Sequence, residues 1–177
     1  NTSHGVLFAS KSLARNVMDD PQPVARSHRD RMLAGEDYLA DDPDLNRERR
    51  RAAILSAKFN ATLGDQDADR DKILRELLGH VGAECTVRPP FHCDYGYQTS
   101  LGDRVFANWG LVALDVGQIT IGDDVLIGPN VQLLTATHPL DPETRRAKWE
   151  GSKPIVIGNN VWLGGGVIVC PGVTIGD

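Results

Sequence analysis

The sequence predicts a mainly β chain, a parallel β-helix of hexapeptide repeats preceded by an α-helical region. Three observations predict it. From about residue 81 an aliphatic residue recurs every six positions, usually followed by Gly, two mostly polar residues and Val. Between residues 28 and 80 the apolar spacing is instead three and four, the period of a helix face. The composition is rich in Gly (18 residues) and poor in aromatics (6%), which suits narrow repeated turns better than a thick aromatic core.

Residues 1–27 mix small, polar and proline residues without a clear period and read as an extension or poorly ordered arm. In residues 28–80, Met32, Leu33, Tyr38 and Leu39 fall in an expected short helix. Asp42 followed by Pro43 is an N-cap and first-turn signature. Ala52, Leu55, Phe59 and then Thr62 or Leu63 mark one face of the helix that follows. A further helix is expected after Asp67, with Ile73, Leu74, Leu77 and Leu78 on one side and Gly79 at its stop.

The repeat units are then explicit. Ile121-Gly122-Asp123-Asp124-Val125 leads into Ile127-Gly128-Pro129-Asn130-Val131. After a gap come Ile157-Gly158-Asn159-Asn160-Val161, Leu163-Gly164-Gly165-Gly166-Val167 and Val169-Cys170-Pro171-Gly172-Val173. A looser pair begins at Leu101 and Ala107. The aliphatic residue and the Val point inward and stack on the next coil. Gly and Asn are expected to take the left-handed backbone of the turn. Three units close a triangular coil of eighteen residues, Ile121 to His138 being one and Ile157 to Thr174 another. A single coil cannot bury its own core, so stability comes from stacking.

Residues 134–154 break the rhythm with a polar, proline-containing loop that holds His138, the one histidine assigned to the regular coils. A long loop on a regular solenoid is usually functional. The last residues, Ile175-Gly176-Asp177, begin a new repeat, so the natural C-terminus is expected to lie beyond them.

Bulk properties exclude several classes. The formal net charge is −5 with no basic tract, which disfavours a nucleic-acid partner. No apolar run reaches the ~20 residues of a membrane helix. Cys85, Cys93 and Cys170 lack metal-type spacing and read as reduced, mostly buried thiols of a cytoplasmic protein.

From Arg31 to Asp177 the chain resembles the maltose and galactoside O-acetyltransferases of the hexapeptide-repeat acyltransferase superfamily. The resemblance rests on MLAGEDYLADDPDL, FHCDYGYQTSLGD, VFANWGLVALDVGQITIGDDVLIGPNV, TATHPLDPETR and KPIVIGNNVWLGGGVIVCPGVTIGD. The FHCDYGY and TATHPLDP segments look closer to the maltose enzymes. The resemblance implies a left-handed β-helix, a homotrimer with sites between subunits, acetyl-coenzyme A as co-substrate, a sugar acceptor and no metal.

It also implies roles. His138 matches the family's catalytic histidine. That residue type suits the chemistry because an alcohol needs a base as it attacks a thioester, and imidazole titrates near neutral pH. Glu150 resembles the acid that orients the histidine in several members, and is otherwise a solvated loop glutamate. Asn108 matches an asparagine at the acceptor end, though the repeat alone favours asparagine in such a turn. On the acceptor side, Phe106 stands where the galactoside enzymes have tyrosine, and Asp115 is expected beside the pocket. Asp41, Asp42 and Arg49 offer multidentate contacts to sugar hydroxyls, or serve as cap and surface charge. On the coenzyme side, Trp162 matches a tryptophan beside the pantetheine arm, and Gly164 and Gly165 leave backbone N–H groups accessible.

Fold alone does not decide function. A carbonic-anhydrase-type β-helix needs three zinc histidines, and only His92 and His138 are assigned at or near the coils. An acetyltransferase of a xenobiotic shares the histidine and the coils. A non-catalytic trimeric scaffold is the alternative of a different class.

Overall fold

The computed structural model describes residues 26–177. The expected N-terminal extension lies outside them, except for Arg26 and Ser27. Ser27 is the N-cap of helix α1 (His28–Leu33), its hydroxyl accepting the Asp30 N–H. Helix α1 stops at Leu33, and Gly35 takes a left-handed turn (φ 72°). Tyr38 and Leu39 are therefore not helical, as the spacing suggested, but form a two-residue strand. Helix α2 (Pro43–Asn60) starts at the expected cap, with the Asp42 carboxylate accepting the N–H groups of Asp44 and Leu45. Its Ala52, Leu55 and Phe59 are buried, whereas Leu63 lies past the helix end and is exposed. Helix α3 (Asp67–Leu77) buries Leu74 and Leu77 against the same core.

From His80 the chain winds as a left-handed parallel β-helix with three faces. The first face stacks His80–Val81, Thr99–Leu101, Ile119–Ile121, Ile155–Ile157 and Thr174–Ile175. The second stacks Thr86–Val87, Phe106–Ala107, Leu126–Ile127 and Trp162–Leu163. The third stacks Phe91–Cys93, Leu111–Leu114, Gln132–Leu134 and Ile168–Val169. Inward residues form columns such as Val81–Leu101–Ile121–Ile157–Ile175. Nearly all are buried, and each buried aliphatic side chain contributes about 1.5–3 kcal/mol.

Two details of the coils differ from the regular scheme. Leu101 pairs with Ile121, twenty residues on, while Ile157 pairs with Ile175, eighteen on. The excess sits at the corner between the third and first faces. The same corner carries the 135–154 loop, so Ile121 pairs with Ile157 and the coil that starts there runs past His138. The second difference concerns glycine. The left-handed residue is the fourth of each unit, namely Arg104 (φ 54°), Asp124 (φ 58°), Asn130 (φ 58°) and Asn160 (φ 54°). Gly122, second in its unit, is required for another reason, since a Cβ there would lie 2.7 Å from the Gly158 carbonyl oxygen of the next coil.

The corner between the first and second faces carries a ladder of side-chain acceptors. The Asp103 carboxylate accepts the Ala83 N–H, Asp123 that of Asp103, Asn159 that of Asp123, and Asp177 that of Asn159. The thiols are free, but less buried than expected: Cys85 and Cys93 are half-buried and Cys170 is exposed. His80 and His92 both lie on coil strands and point outward, so His138 is not the sole histidine of the coils.

Candidate active site

His138 is held by a small antiparallel sheet built outside the solenoid. The strand Ala136–Thr137, which delivers His138, pairs with Trp149–Ser152. That strand pairs on its other edge with Tyr38–Leu39. Gly151 makes the close pairing possible, because a Cβ there would lie 2.7 Å from an Asp37 carboxylate oxygen. Helix α4 (Pro142–Arg146) closes the loop. Its Arg145 guanidinium donates back to the carbonyls of Pro139 and Leu140. Trp149 lies against the edge of the His28 ring and under the Arg31 guanidinium, which ties α1 to the loop.

In this frame Nε2 of His138 lies 3.6 Å from Oε1 of Glu150. The imidazole is mostly open to solvent and the carboxylate is largely buried. The other oxygen of Glu150, Oε2, accepts the Tyr38 hydroxyl at 2.5 Å. Burial, and next the bond to Glu150, hold the Tyr38 phenol above its ordinary pKa, so it stays protonated. A cavity of about 260 Å³ opens here, lined by Ala40, His138, Arg145, Lys148, Trp149 and Glu150. A larger groove of about 430 Å³ between α2 and α3 contains none of these residues.

Asp94, from the corner before Thr99, is half-buried nearby. Burial, and then the Glu150 charge, raise its pKa, with Arg49 opposing. The Arg49 guanidinium donates to the Ala40 carbonyl and to Asn46. Asp41 is exposed and lines an adjoining cavity with His28, Asp42 and Lys148. Asp115 is placed differently from an acceptor contact. It is fully buried, and its oxygens accept the backbone N–H groups of Asp94 and Tyr95 and the Thr99 hydroxyl. Burial leaves its pKa raised to about 6. It shapes the corner that presents Asp94. Burial also pushes the Cys93 thiol up to about 12, which leaves it unsuited as a nucleophile.

The remaining expected residues lie elsewhere, along the corner between the second and third faces. Oδ1 of Asn108 accepts the Trp109 N–H at 2.9 Å and faces the Arg88 guanidinium. Arg88 lies over the rings of Phe106 and Trp109. Trp162 is 78% exposed, and Gly164 has nothing within 4 Å of a built Cβ. Among the described residues no hydrogen bond joins this group to His138 or Glu150. No described group of three His, Cys, Asp or Glu residues is arranged to hold a metal ion.

Tyr38, Asp94 and Trp149 were not anticipated. Asp94 stands in the FHCDYGY segment that carries part of the resemblance, which is a signal for it, but a two-residue strand at Tyr38 has no periodic signature.

Residues 31–82 match a family model described as the maltose acetyltransferase hexapeptide capping motif. The chain is 47% identical over 151 residues to nodulation protein L of Rhizobium meliloti, covering 85% of this chain and 82% of that protein. It superposes on the crystal structure of a maltose O-acetyltransferase from Clostridium difficile with a TM-score of 0.85 and 46% identity, covering 86% and 82% of the two chains. It is also similar to a hexapeptide-repeat acetyltransferase from Vibrio cholerae solved with acetyl-coenzyme A. There the TM-score is 0.77 at 42% identity, with 84% and 80% of the chains covered.

Proposed function

This chain belongs to the hexapeptide-repeat acyltransferase superfamily, and on that footing we propose that it transfers an acetyl group to a sugar hydroxyl with His138 as general base. It is an acetyl-coenzyme A-dependent O-acetyltransferase that acts on a sugar-like acceptor. The observation that carries the finer reading is the largely buried Glu150 carboxylate facing the open His138 ring.

The ring nitrogen facing Glu150 keeps its proton, and the opposite nitrogen takes the acceptor's hydroxyl proton. The hydroxyl oxygen attacks the thioester carbonyl carbon as that proton leaves. The tetrahedral adduct then expels coenzyme A by breaking the C–S bond, and the imidazolium returns its proton to the departing sulfur. Glu150 steadies the transient positive charge on His138. Arg49, Asp94 and Asp41 line the acceptor side, and Asp115 acts through the corner that carries Asp94.

Asn108 and Phe106 belong to the acceptor end and Trp162, Gly164 and Gly165 to the coenzyme side, with space beside Gly164 and with Gly165 resting on Pro129. Because this group and His138 arise at different corners of one protomer, a complete site is formed between copies of a homotrimer. The exposed column of Leu126 and Trp162, in register on neighbouring coils, supports such an interface.

The test measures thiol release from acetyl-coenzyme A over glucose, maltose, a galactoside and a chitin-like oligosaccharide. Release with at least one sugar is expected. No release with any of them, from protein that binds the coenzyme, overturns the reading.

A further inference from the structure

We propose that Tyr38 is a positioning residue for the transfer: its hydroxyl fixes the Glu150 carboxylate, and through it the His138 ring. This rests on the general-base reading above and extends it to the N-terminal segment.

The geometry is specific. Tyr38 and Glu150 are register partners across an antiparallel pair, and the Tyr38 side chain is fully buried. Its hydroxyl takes one carboxylate oxygen, leaving the other facing Nε2 of His138. The two oxygens of one carboxylate thus have separate partners, which sets both the rotation and the reach of the group.

The surroundings explain why an anchor is needed. Asp94 bears on Glu150 as a like charge, which would turn a free side chain out toward solvent. Arg49 is the cation that bears on Asp94, and its guanidinium is already engaged by Ala40 and Asn46, while Arg145, which lines the cavity with Lys148, donates to the carbonyls of Pro139 and Leu140. Tyr95 is fully buried, and its hydroxyl has no hydrogen-bond partner, so it does not hold Glu150. A neutral phenol has a further advantage over a cation. It orients the carboxylate without neutralising it, so the charge remains available when His138 becomes cationic. The segment matched by the capping motif therefore serves the chemistry as well as closing the coil end.

The test is a double-mutant cycle in the full chain, using Tyr38→Phe, Glu150→Ala and both together. It uses acetyl-coenzyme A and whichever sugar of the panel turns over fastest. Tyr38→Phe is expected to lower kcat about tenfold with KM within about twofold, since a hydrogen bond to a charged group is lost. In the Glu150→Ala background the same change is expected to have no further effect. An unchanged kcat in folded Tyr38→Phe protein overturns the proposal, as does an equal loss in both backgrounds. Should Tyr38→Phe lack a cooperative melt, Glu150→Asp replaces it. That carboxylate is one methylene shorter and cannot span both partners, so full kcat in Glu150→Asp overturns the proposal. Normal turnover in His138→Ala would instead remove the general-base reading itself. Loss in His138→Ala and Glu150→Ala without loss in Tyr38→Phe sinks only the positioning role.

Discussion

Glu150 meets His138 across 3.6 Å with its carboxylate only 13% exposed, while the imidazole is 59% exposed. A largely buried carboxylate beneath an accessible ring is the arrangement the proposed base needs when its substrate arrives from outside. His138→Ala is expected to lower turnover by at least ~10²-fold while coenzyme binding persists. Thiol release and titration calorimetry with acetyl-coenzyme A check the two halves separately.

Glu150→Gln keeps the shape of the side chain and its acceptor for Tyr38 but removes the charge. Its expected effect is smaller, about tenfold in kcat, because His138 retains its ring and loses only a neighbour that steadies the imidazolium. A steady-state comparison of the two variants orders the roles. A larger loss in Glu150→Gln than in His138→Ala would reverse them.

Asp115 gives a pH signature of stability. Its folded-state pKa is raised to about 6 by burial, above the ordinary carboxylate range. The folded chain therefore holds this proton more tightly than the unfolded chain. The stabilisation is complete below the ordinary carboxylate pKa and is lost as pH rises through about 6. Its size is on the order of 3 kcal/mol. Urea unfolding between pH 4 and 7 should show this fall in the native chain. In Asp115→Asn the midpoint is lower throughout, because an amide N–H then opposes backbone donors, and the fall is shallower. Parallel profiles in the two proteins would exclude the assignment.

Two glycines separate packing from function. Gly122→Ala forces a methyl group against the carbonyl of Gly158, and should cost about 1–3 kcal/mol, seen as a lower melting temperature. Gly164→Ala meets no described residue within 4 Å, because Gly164 lies on the outermost described coil. Its expected effect is a raised KM for acetyl-coenzyme A, measured at saturating sugar.

Leu126→Glu places a charge in the exposed column beside Trp162. On the proposed homotrimer, analytical ultracentrifugation should show the native chain as a trimer and this variant as a smaller species, and thiol release should fall with it. A trimer that persists would move the subunit contact to another face.

Much of this was legible in the sequence, for identifiable reasons. The inward columns follow a fixed six-residue spacing, so Ile121, Ile127, Ile157 and Leu163 announce their own neighbours. Asp42-Pro43 likewise announces the start of α2. Tyr38 could not be read this way. Its strand has two residues, and its partner Glu150 stands 112 positions further along the chain. The role of Asp115 was hidden for a related reason, since the donors that claim it belong to the preceding coil. The glycine positions misled because two different demands, a left-handed backbone and a close approach between coils, select the same residue.

The corner between the third and first faces is a turn over 94–98 and 115–118 but spans 135–154 in the following coil. The columns continue in step on either side of it. Length at that vertex is thus decoupled from the architecture beneath. The vertex can accommodate a segment as long as the one that carries His138 and Glu150 without disturbing the stacked faces below it.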